Sequence, residues 1–476
     1  MLLAGCTGIA LLVPSSARAD DCLLDTNNDG SATAGTDTDL SANSSGDDTR
    51  LACGYGASAA SAYAIALGSS ASASGSSAAA VGSSATASGA SATAMGAGAK
   101  ATATDTAALG HGAYAEYTGD TALGSGASAT SSYATAIGYG ASATSSYTTA
   151  LGRGATASGA SATALGYQAS AANSYATAVG YGAGAGDAGT ALGTYASAAN
   201  LSGTAVGYNA AADGDNATAV GRDTSAAYQG STAVGHLAST SDLYGTAVGE
   251  GAVAAGEGAA LGHGASASGG SSTAIGSSAT ATGQYGTALG SSAAASYADS
   301  TVIGHAAQAG GDFASAVGDT ASAGANGTAF GAAAVSGSGS AAIGYHAAAA
   351  TGYSLALGYY ASAVDDRSVV LGANASTASA DGTALGYAAS ASGQYATALG
   401  EGSSAGNIGA LALGANAAAS GAYGIASGQG SAARGYASIA GGYNGLSAGN
   451  GSIAVGGEAT TANDSGQTAG NIAIGS

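Results

Sequence analysis

Small apolar residues recur along this chain in a pattern that repeats about every fourteen residues. Residues 135–138 read TAIG, and residues 149–152 read TALG. If the closing glycine is called position zero, it recurs from Gly54 to Gly456 over 29 intervals, of which 25 are fourteen residues and four are thirteen. A disordered chain has no reason to keep such a register. The sequence therefore predicts an all-β solenoid of about 30 coils in which each repeat forms one coil.

Two short strands in each coil are predicted from the alternation of residue types. Position −1 is Leu, Val or Ile in most repeats, position −2 is Ala in 28 of 30, and position −3 is Thr in 17. Positions +3 and +5 are mostly Ala. We expect strands at −3 to −1 and at about +3 to +5, joined by turns rich in Gly, Ser, Asn and Asp. The glycine at zero is expected at a corner where φ is positive or where a Cβ would clash.

The strand at −3 to −1 has two apolar faces, because positions −1 and −2 point to opposite sides. A strand of this kind is usually buried on both sides. We assign position −1 to the interior of the coil and position −2 to contact with an identical chain around a rotation axis. The interface alanines are then Ala122, Ala136, Ala150, Ala164 and Ala178. The alternative is that a small alanine is merely tolerated on a surface.

Composition and charge exclude several other classes of protein. The chain has 85 Gly, one Pro and no Trp, so a conventional layered core is excluded, and the residue pattern fits neither a helix nor collagen. Seven basic residues against 27 acidic residues give a net charge of −20, which argues against nucleic acid as a partner. Beyond the N-terminus, no apolar run is long enough for a membrane-spanning helix.

The N-terminus resembles an export signal. A short apolar run precedes Ala17-Arg18-Ala19, which fits a cleavage site, so residues 1–19 are interpreted as a signal peptide. A positive n-region is missing, and we expect the true start upstream. The alternative is a lipoprotein box ending at Cys6. Residues 20–50 form an acidic leader or cap, and residues 51–476 form the repeat region.

Two features of the leader suggest specific chemistry. Cys22 and Cys53 form an even pair in an exported chain, which favours a disulfide, although two free thiols are the alternative. Asp25, Asn27 and Asp29 have the spacing of the first three ligands of a calcium loop. Position twelve of that loop is Thr rather than Glu. The alternative is therefore an acidic, flexible leader that binds no Ca²⁺. No other cofactor is expected.

Enzymatic chemistry finds little support in the sequence, and we expect a non-enzymatic protein. Neither a nucleophile elbow nor a phosphate-binding loop is visible. The five histidines lie on separate coils, at least two coils apart, and are interpreted as surface residues rather than zinc ligands. They are His111, His236, His263, His305 and His346.

Tyrosine is concentrated at two positions of the repeat. Of 25 tyrosines, nine lie at position +1 and nine at position +9. Stacked coils would align these rings in interrupted columns with a spacing of about 5 Å. Such columns suit contact with protein or glycan, although rings that only shield the coil edges are the alternative. The candidate binding residues are Tyr133, Tyr139, Tyr147, Tyr167, Tyr175 and Tyr181.

The repeat resembles the YadA-like head of trimeric autotransporter adhesins. The family unit, of the type x-V-A-I-G-x-x-A/S-x-A, is matched by residues 135–143 and, at its start, by residues 452–456. The resemblance covers about residues 51–475, and neither the stalk heptads nor the barrel strands with which the family usually continues are visible. It implies a left-handed parallel β-roll, intertwined or side by side in a homotrimer.

The same resemblance implies a function and a location. The family is exported to the bacterial outer-membrane surface or the medium and attaches there to matrix proteins, glycans or cells. The alternative function is an ice-binding or purely structural solenoid, because the threonines at −3 form a regular column. Four of its members are Thr135, Thr149, Thr163 and Thr177.

Overall fold

The structure of the protein is a computed structural model that describes residues 42–44, 49–461 and 470–475. Throughout these residues, every regular element is a β-strand. The chain divides into two compact units, Met1–Ala212 and Asp213–Ser476. Within each unit, successive coils add parallel strands to two sheets, as predicted for a solenoid. We call the strands at positions −3 to −1 the front strands and those that begin at position +4 the back strands.

The front strands of the first unit have three residues each. They are Leu51–Cys53, Ile65–Leu67, Ala79–Val81, Thr93–Met95, Ala107–Leu109, Thr121–Leu123, Thr135–Ile137, Thr149–Leu151, Thr163–Leu165, Thr177–Val179, Thr190–Leu192 and Thr204–Val206. The back strands of this unit have two residues each. They are Ser58–Ala59, Ser72–Ala73, Thr86–Ala87, Lys100–Ala101, Tyr114–Ala115, Ser128–Ala129, Ser142–Ala143, Thr156–Ala157, Ser170–Ala171, Gly184–Ala185 and Ser197–Ala198.

The second unit repeats this arrangement. Its front strands are Thr218–Val220, Thr232–Val234, Thr246–Val248, Ala259–Leu261, Thr273–Ile275, Thr287–Leu289, Thr301–Ile303, Ser315–Val317, Thr328–Phe330, Ala341–Ile343, Leu355–Leu357, Val369–Leu371, Thr383–Leu385, Thr397–Leu399, Leu411–Leu413, Ile425–Ser427, Ile439–Gly441, Ile453–Val455 and Ile472–Ile474. Its back strands are Ser225–Ala226, Ser239–Thr240, Val253–Ala254, Ser266–Ala267, Thr280–Ala281, Ala294–Ala295, Gln308–Gly310, Ser322–Gly324, Val335–Ser336, Ala348–Ala349, Ser362–Ala363, Ser376–Thr377, Ser390–Ala391, Ser404–Ala405, Ala418–Ala419, Ala432–Ala433, Leu446–Ser447 and Thr460–Thr461.

Neighbouring coils pair in register, so each position of the repeat forms a column. Ala136 pairs with Ala150 in the front sheet, fourteen residues along the chain, and Ala129 pairs with Ala143 in the back sheet. The N–H of Thr135 donates to the carbonyl oxygen of Thr148 at 2.9 Å. The strand N–H and C=O groups form hydrogen bonds with the coils before and after. A single coil could not provide partners for all of these groups.

The interior of the coil is filled by alanine. In the coil around Ala136, positions −4, −2, +3 and +5 are Ala134, Ala136, Ala141 and Ala143, and all four are fully buried within the single chain. Because each coil is short, the front and back sheets lie close together, and alanine methyl groups are enough to fill the space between them. The largest residues tolerated at position −2 are Val302 and Val370, which are also fully buried.

This packing corrects the assignment of faces made from the sequence. The alanines at −2 (Ala122, Ala136, Ala150, Ala164 and Ala178) are 0% exposed inside one chain and cannot contact a partner. The large side chains at −1 instead point outward, as Leu123 does with 43% of its surface exposed. The alternation of the strand was predicted correctly, but its inward and outward sides were exchanged, because a leucine is too large for this narrow interior.

The glycine at position zero has both properties expected of it. Gly138 has φ +133°, and a Cβ there would overlap the carbonyl group of Gly152 on the next coil. The carbonyl oxygen of Gly138 accepts the N–H of Ala141 at 3.2 Å, which closes a four-residue turn. The same kind of turn occurs seven residues earlier, where the Ala134 N–H donates to the Ser131 oxygen at 3.0 Å.

Candidate adhesive surface

The two turns of each coil place tyrosine along both edges of the solenoid. Position +1 lies in the turn that follows the front strand, and position +9 lies in the turn that precedes it. Tyr139 at +1 is 64% exposed and Tyr147 at +9 is 65% exposed. Tyr133 and Tyr147 have φ values near +60°, a backbone conformation that residues other than glycine rarely adopt. The two edges therefore present large aromatic side chains directly to solvent.

At the +9 edge, tyrosines of neighbouring coils stack where both are present. The rings of Tyr133 and Tyr147 lie 5.4 Å apart and are inclined by 8°. This distance confirms the spacing of about 5 Å predicted from the sequence. A Cβ at Gly119, one coil earlier, would lie 2.6 Å from Cδ1 of Tyr133, so the first ring of the pair rests on a glycine. Tyr175 is separated from Tyr147 by Ser161 at the same position of the intervening coil and is 71% exposed.

At the +1 edge, a longer row forms that includes a cation. We call it the Tyr139–Tyr208 row, and its members are Tyr139, Arg153, Tyr167, Tyr181, Tyr195 and Tyr208. The rings of Tyr167 and Tyr181 stack at 5.0 Å with an inclination of 8°. Arg153 stands between Tyr139 and Tyr167, with Cζ 5.7 and 5.4 Å from their ring centroids.

The remaining members of this row meet edge to face. Tyr195 lies 5.1 Å from Tyr181 and 6.4 Å from Tyr208, both in T-shaped geometry. A side-chain hydrogen bond with Tyr181 raises the pKa of Tyr195 above its ordinary value, and desolvation and the nearby Tyr181 and Tyr208 add smaller contributions in the same direction.

Sequence reasoning proposed Tyr139, Tyr167 and Tyr181 as separate candidates and missed Arg153. In the structure Tyr167 and Tyr181 stack directly, and Arg153 joins Tyr139 to this pair. The signal that could have found it is its position, because Arg153 occupies +1 in the coil between two tyrosine-bearing coils.

The second unit has a compact aromatic cluster of its own, formed by Tyr345, His346, Tyr359 and Tyr360. His346 and Tyr360 stack at 4.8 Å with an inclination of 2°, and Tyr345 and Tyr359 stack at 5.3 Å. Desolvation among these rings, with smaller effects of Tyr345 and Tyr359, raises the pKa of Tyr360. His346, interpreted from the sequence as a surface residue, is exposed and belongs to this cluster.

His236 and His305, which lie at position +1, face acidic residues of the following coil. His305 Nδ1 lies 2.8 Å from Asp319 Oδ1, and His236 Nδ1 lies 3.4 Å from Glu250 Oε1. Over the residues that the structure describes, no group of three His, Cys, Asp or Glu side chains is arranged to hold a metal ion. The same residues contain no helix long and apolar enough to cross a membrane.

The front sheet presents a third surface, composed of threonine and aliphatic side chains. Positions −3 and −1 both point outward, so a threonine column runs beside a column of Leu, Val and Ile. Leu165 and Leu192 are 39% and 47% exposed. Thr135, Thr149, Thr163 and Thr177 occupy the same position in consecutive coils of this face. A continuous apolar surface of this kind usually marks a site of association.

The calcium, disulfide and export predictions fall largely outside the described residues. Asp25, Asn27 and Asp29 lie there, as does Cys22. Cys53 is the last residue of the first front strand and is half-buried at an outward position −1.

Parallel coils with an alanine interior, aromatic edges and one aliphatic face define a β-solenoid repeat protein. The profile of the YadA head domain repeat matches more than half of the chain, so the chain belongs to that family. The matched residues are 73–99, 101–127, 118–141, 129–155, 157–183, 198–224, 229–252, 258–279, 267–293, 298–321, 336–361, 352–375, 379–403, 391–417 and 405–431. Among curated proteins, none matches the chain.

Proposed function

We propose that this chain is the head of a bacterial adhesin, displayed on the outer-membrane surface or secreted, and that it is not an enzyme. The observation that carries the proposal is the repetition of exposed tyrosines along the coil edges, as at Tyr133, Tyr139 and Tyr147. Each ring offers a weak contact to a matrix protein, a glycan or a cell surface. Many such contacts on one solenoid add up through effective concentration. Membership of the YadA head repeat family supports this function.

The proposal includes a homotrimer of left-handed β-rolls, as the family resemblance implies. The front face is the surface that suits the contact between copies, because its column at −1 leaves apolar side chains such as Leu123 and Leu165 in water. A contact repeated around a three-fold axis would cover this column in every coil at once. The aromatic edges would remain free for attachment.

The experiment that tests adhesion compares one tyrosine change with many. The single change Tyr139→Ala should barely alter binding to a cell or matrix surface, because the array keeps its other members. Replacing Tyr133, Tyr139, Tyr147, Tyr167, Tyr175 and Tyr181 together by Ser should weaken binding steeply. The control is the same set replaced by Phe, which keeps the rings and should bind more strongly than the Ser set. Circular dichroism checks that each variant is folded.

Loss of binding from one single change, in a chain that is still folded, would replace the array with a discrete pocket. Equal binding by the Ser set and the unchanged protein would remove the tyrosines from the proposal altogether.

Ice binding is a second candidate, favoured by the outward direction of the threonine column. Thr135, Thr149, Thr163 and Thr177 lie at one position of the front sheet with the regular spacing of the strands. Contact between copies through the same face would cover this column. Thermal hysteresis by the purified protein would favour ice binding, whereas a front face buried in a trimer without hysteresis favours the adhesin.

Three proposals concern the N-terminal residues. Residues 1–19 direct export, Asp25, Asn27 and Asp29 bind Ca²⁺, and Cys22 and Cys53 form a disulfide. Mass spectrometry of non-reduced peptides that finds both thiols free would contradict the disulfide.

A further inference from the structure

We propose that Arg153 and its flanking tyrosines form a binding site for an anionic group carried on a saccharide. The inference rests on the proposed adhesive function and deepens it by naming one class of ligand. It starts from the position of the charge. Arg153 is the only charged residue between Asp120 and Asp187 in a chain whose net charge is −20. No carboxylate in this stretch is available to neutralise it.

The guanidinium group is held in place by aromatic rings instead of an acid. Cζ lies 5.7 Å from the ring centroid of Tyr139 and 5.4 Å from that of Tyr167, on the two neighbouring coils. Nη1 lies 3.5 Å from the hydroxyl oxygen of Tyr167, at the outer limit for a hydrogen bond. Two rings reduce the freedom of a long side chain without removing its charge. The remaining N–H donors of a guanidinium match the two oxygens of a carboxylate or sulfate.

A groove gives a ligand access to this cation. It has a volume of about 240 Å³ and is lined by Tyr139, Gly140, Arg153, Gly154, Tyr167 and Gln168. A Cβ at Gly140 would meet no atom within 4 Å, so the missing side chain opens space beside the arginine. Since a water molecule occupies about 30 Å³, the groove can hold a larger group.

The chemistry of the groove favours a saccharide over an acidic peptide. An extended peptide usually binds by adding a strand to free backbone amides. Here the turn amides already bond from coil to coil, as Gly154 N–H does to the Tyr139 oxygen at 2.9 Å and Gln168 N–H to the Arg153 oxygen at 3.0 Å. The groups left for a ligand are tyrosine hydroxyls, the Gln168 amide and the guanidinium. These groups match sugar hydroxyls together with one anionic substituent.

A matched control exists at another coil. Arg222 also lies at position +1, but its Nε is 2.9 Å from Asp223 Oδ2, so its charge is paired with a carboxylate. The two arginines share the register position and solvent exposure and differ in their neighbours. Arg222→Gln therefore removes the same charge from the whole protein without touching the proposed site.

The test measures binding of the full chain to immobilised polysaccharides by surface plasmon resonance. The probes are alginate, which carries carboxylates, dextran sulfate, which carries sulfates, and neutral dextran. Polyglutamate represents an acidic peptide. We expect alginate or dextran sulfate to bind, with an affinity that falls as salt is raised, and neither dextran nor polyglutamate to compete. Preference for alginate identifies a carboxylate as the natural substituent, and preference for dextran sulfate identifies a sulfate.

Arg153→Gln should weaken this binding at least about tenfold, as expected for loss of a charge-assisted hydrogen-bond pair. Arg153→Lys should lose most of it as well, because an ammonium cannot bind both oxygens side by side. Arg222→Gln should bind as the unchanged protein does. Equal binding by Arg153→Gln, by Arg153→Lys or by polyglutamate overturns the inference. So does the absence of binding to both charged polysaccharides.

The outcome is separable from that of the adhesive function. If the Arg153→Gln chain loses binding to the charged polysaccharide while the unchanged chain attaches to no cell or matrix surface, the saccharide site stands and the adhesin proposal fails. If the unchanged chain attaches to cells but binds neither charged polysaccharide, only the saccharide site fails.

Discussion

The interior of the coil and its front face are built from adjacent residues of the same strands, yet they follow opposite rules. Ala150 points inward and is fully buried, whereas its neighbour Leu151 points outward and is 37% exposed. The interior position hardly varies over 30 repeats, while the outward position accepts Leu, Val, Ile, Met and Phe. The larger side chain is thus on the solvent side in the single chain.

This difference shows which position is limited by volume. The interior lies between the two sheets and has a fixed width. Adding even one methylene to a side chain there would therefore overpack it and destabilise the fold. The front face has no such limit within one chain. Its apolar character must have another cause, and the proposed contact between copies would provide one.

The largest effect is expected where the interior receives a charge. Ala150→Glu would bury a carboxylate without a partner and should destabilise the surrounding coils by at least about 3 kcal/mol. Leu151→Glu, one residue further, places the same charge in water and should leave the coil folded. Hydrogen exchange of the amides near residue 150, together with thermal unfolding, compares the two. Similar protection losses in both variants would contradict the inside–outside assignment.

A second experiment breaks only the front face. Replacing Leu123, Leu151 and Leu165 together by Glu should abolish association while the β-sheet circular dichroism of each chain is kept, because all three side chains lie on the solvent side. Sedimentation measures the oligomeric state. Ser replacements at Thr121, Thr149 and Thr163 are the control on the same strands and should associate more strongly than the Glu variant. A Glu variant that still sediments as the unchanged oligomer would place the interface elsewhere.

The same contrast can be tested at two glycines of one turn. Gly138→Ala should cost about 1–3 kcal/mol, since φ is +133° and the new Cβ would overlap the backbone of Gly152. Gly140→Ala should cost less, because φ is +62° and a Cβ there meets no atom within 4 Å. Urea unfolding compares the two variants. Equal losses would show that the conformation of the turn, rather than contact with the next coil, limits both positions.

The smallest effect concerns Asp120, a carboxylate in the interior column. It is 0% exposed and accepts the N–H of Tyr117 at 2.8 Å and that of Ala134 at 2.9 Å. Desolvation raises its pKa, and these hydrogen bonds oppose the shift only in part. The folded chain therefore holds the proton more tightly than the unfolded chain. The stability that this group contributes is present below its ordinary pKa and is lost as pH rises through the raised pKa.

Asp120→Ser is the variant that tests this, because Ser300 occupies the corresponding interior position and donates to the Tyr297 oxygen at 2.6 Å. At each pH, the free energy of unfolding of the Ser variant is compared with that of the unchanged chain. This difference should favour the Ser variant more at pH 7 than at pH 3. Urea unfolding at several pH values measures the difference. A difference that does not change with pH would mean that Asp120 keeps the same protonation in both states.

Much of the fold followed from periodicity. The front strand Thr135–Ile137 has the predicted bounds, and the back strand Ser142–Ala143 lies within the predicted positions +3 to +5. The glycine corner at Gly138 was also predicted correctly. These features depend on local backbone geometry. Because the repeat occurs about 30 times, the residue preferences that this geometry imposes can be recognised in the sequence.

The direction of the faces could not be obtained in the same way. Alternation separates Ala136 from Ile137 but does not tell which side is inward when both are apolar. The width of the interior decides it, and that width depends on the distance between the sheets. For the candidate surface, position alone predicted the stacking of Tyr133 and Tyr147. The role of Arg153 was missed because the prediction followed tyrosines alone. Arg153 occupies the same position of the repeat as the tyrosines on either side but is a different type of residue.

The register of the coil-to-coil ladder also determines how this molecule responds to force. The bonds from Thr135 to Thr148 and from Gly138 to Leu123 run along the direction in which coils stack. A pull in that direction loads the bonds of one coil in tension, so the end coil peels away while those behind it stay paired. Each peeled coil of fourteen residues releases roughly 46–50 Å of extended chain. If the chain is attached as proposed, a pull on its end would therefore lengthen it in discrete steps, and each step would dissipate work.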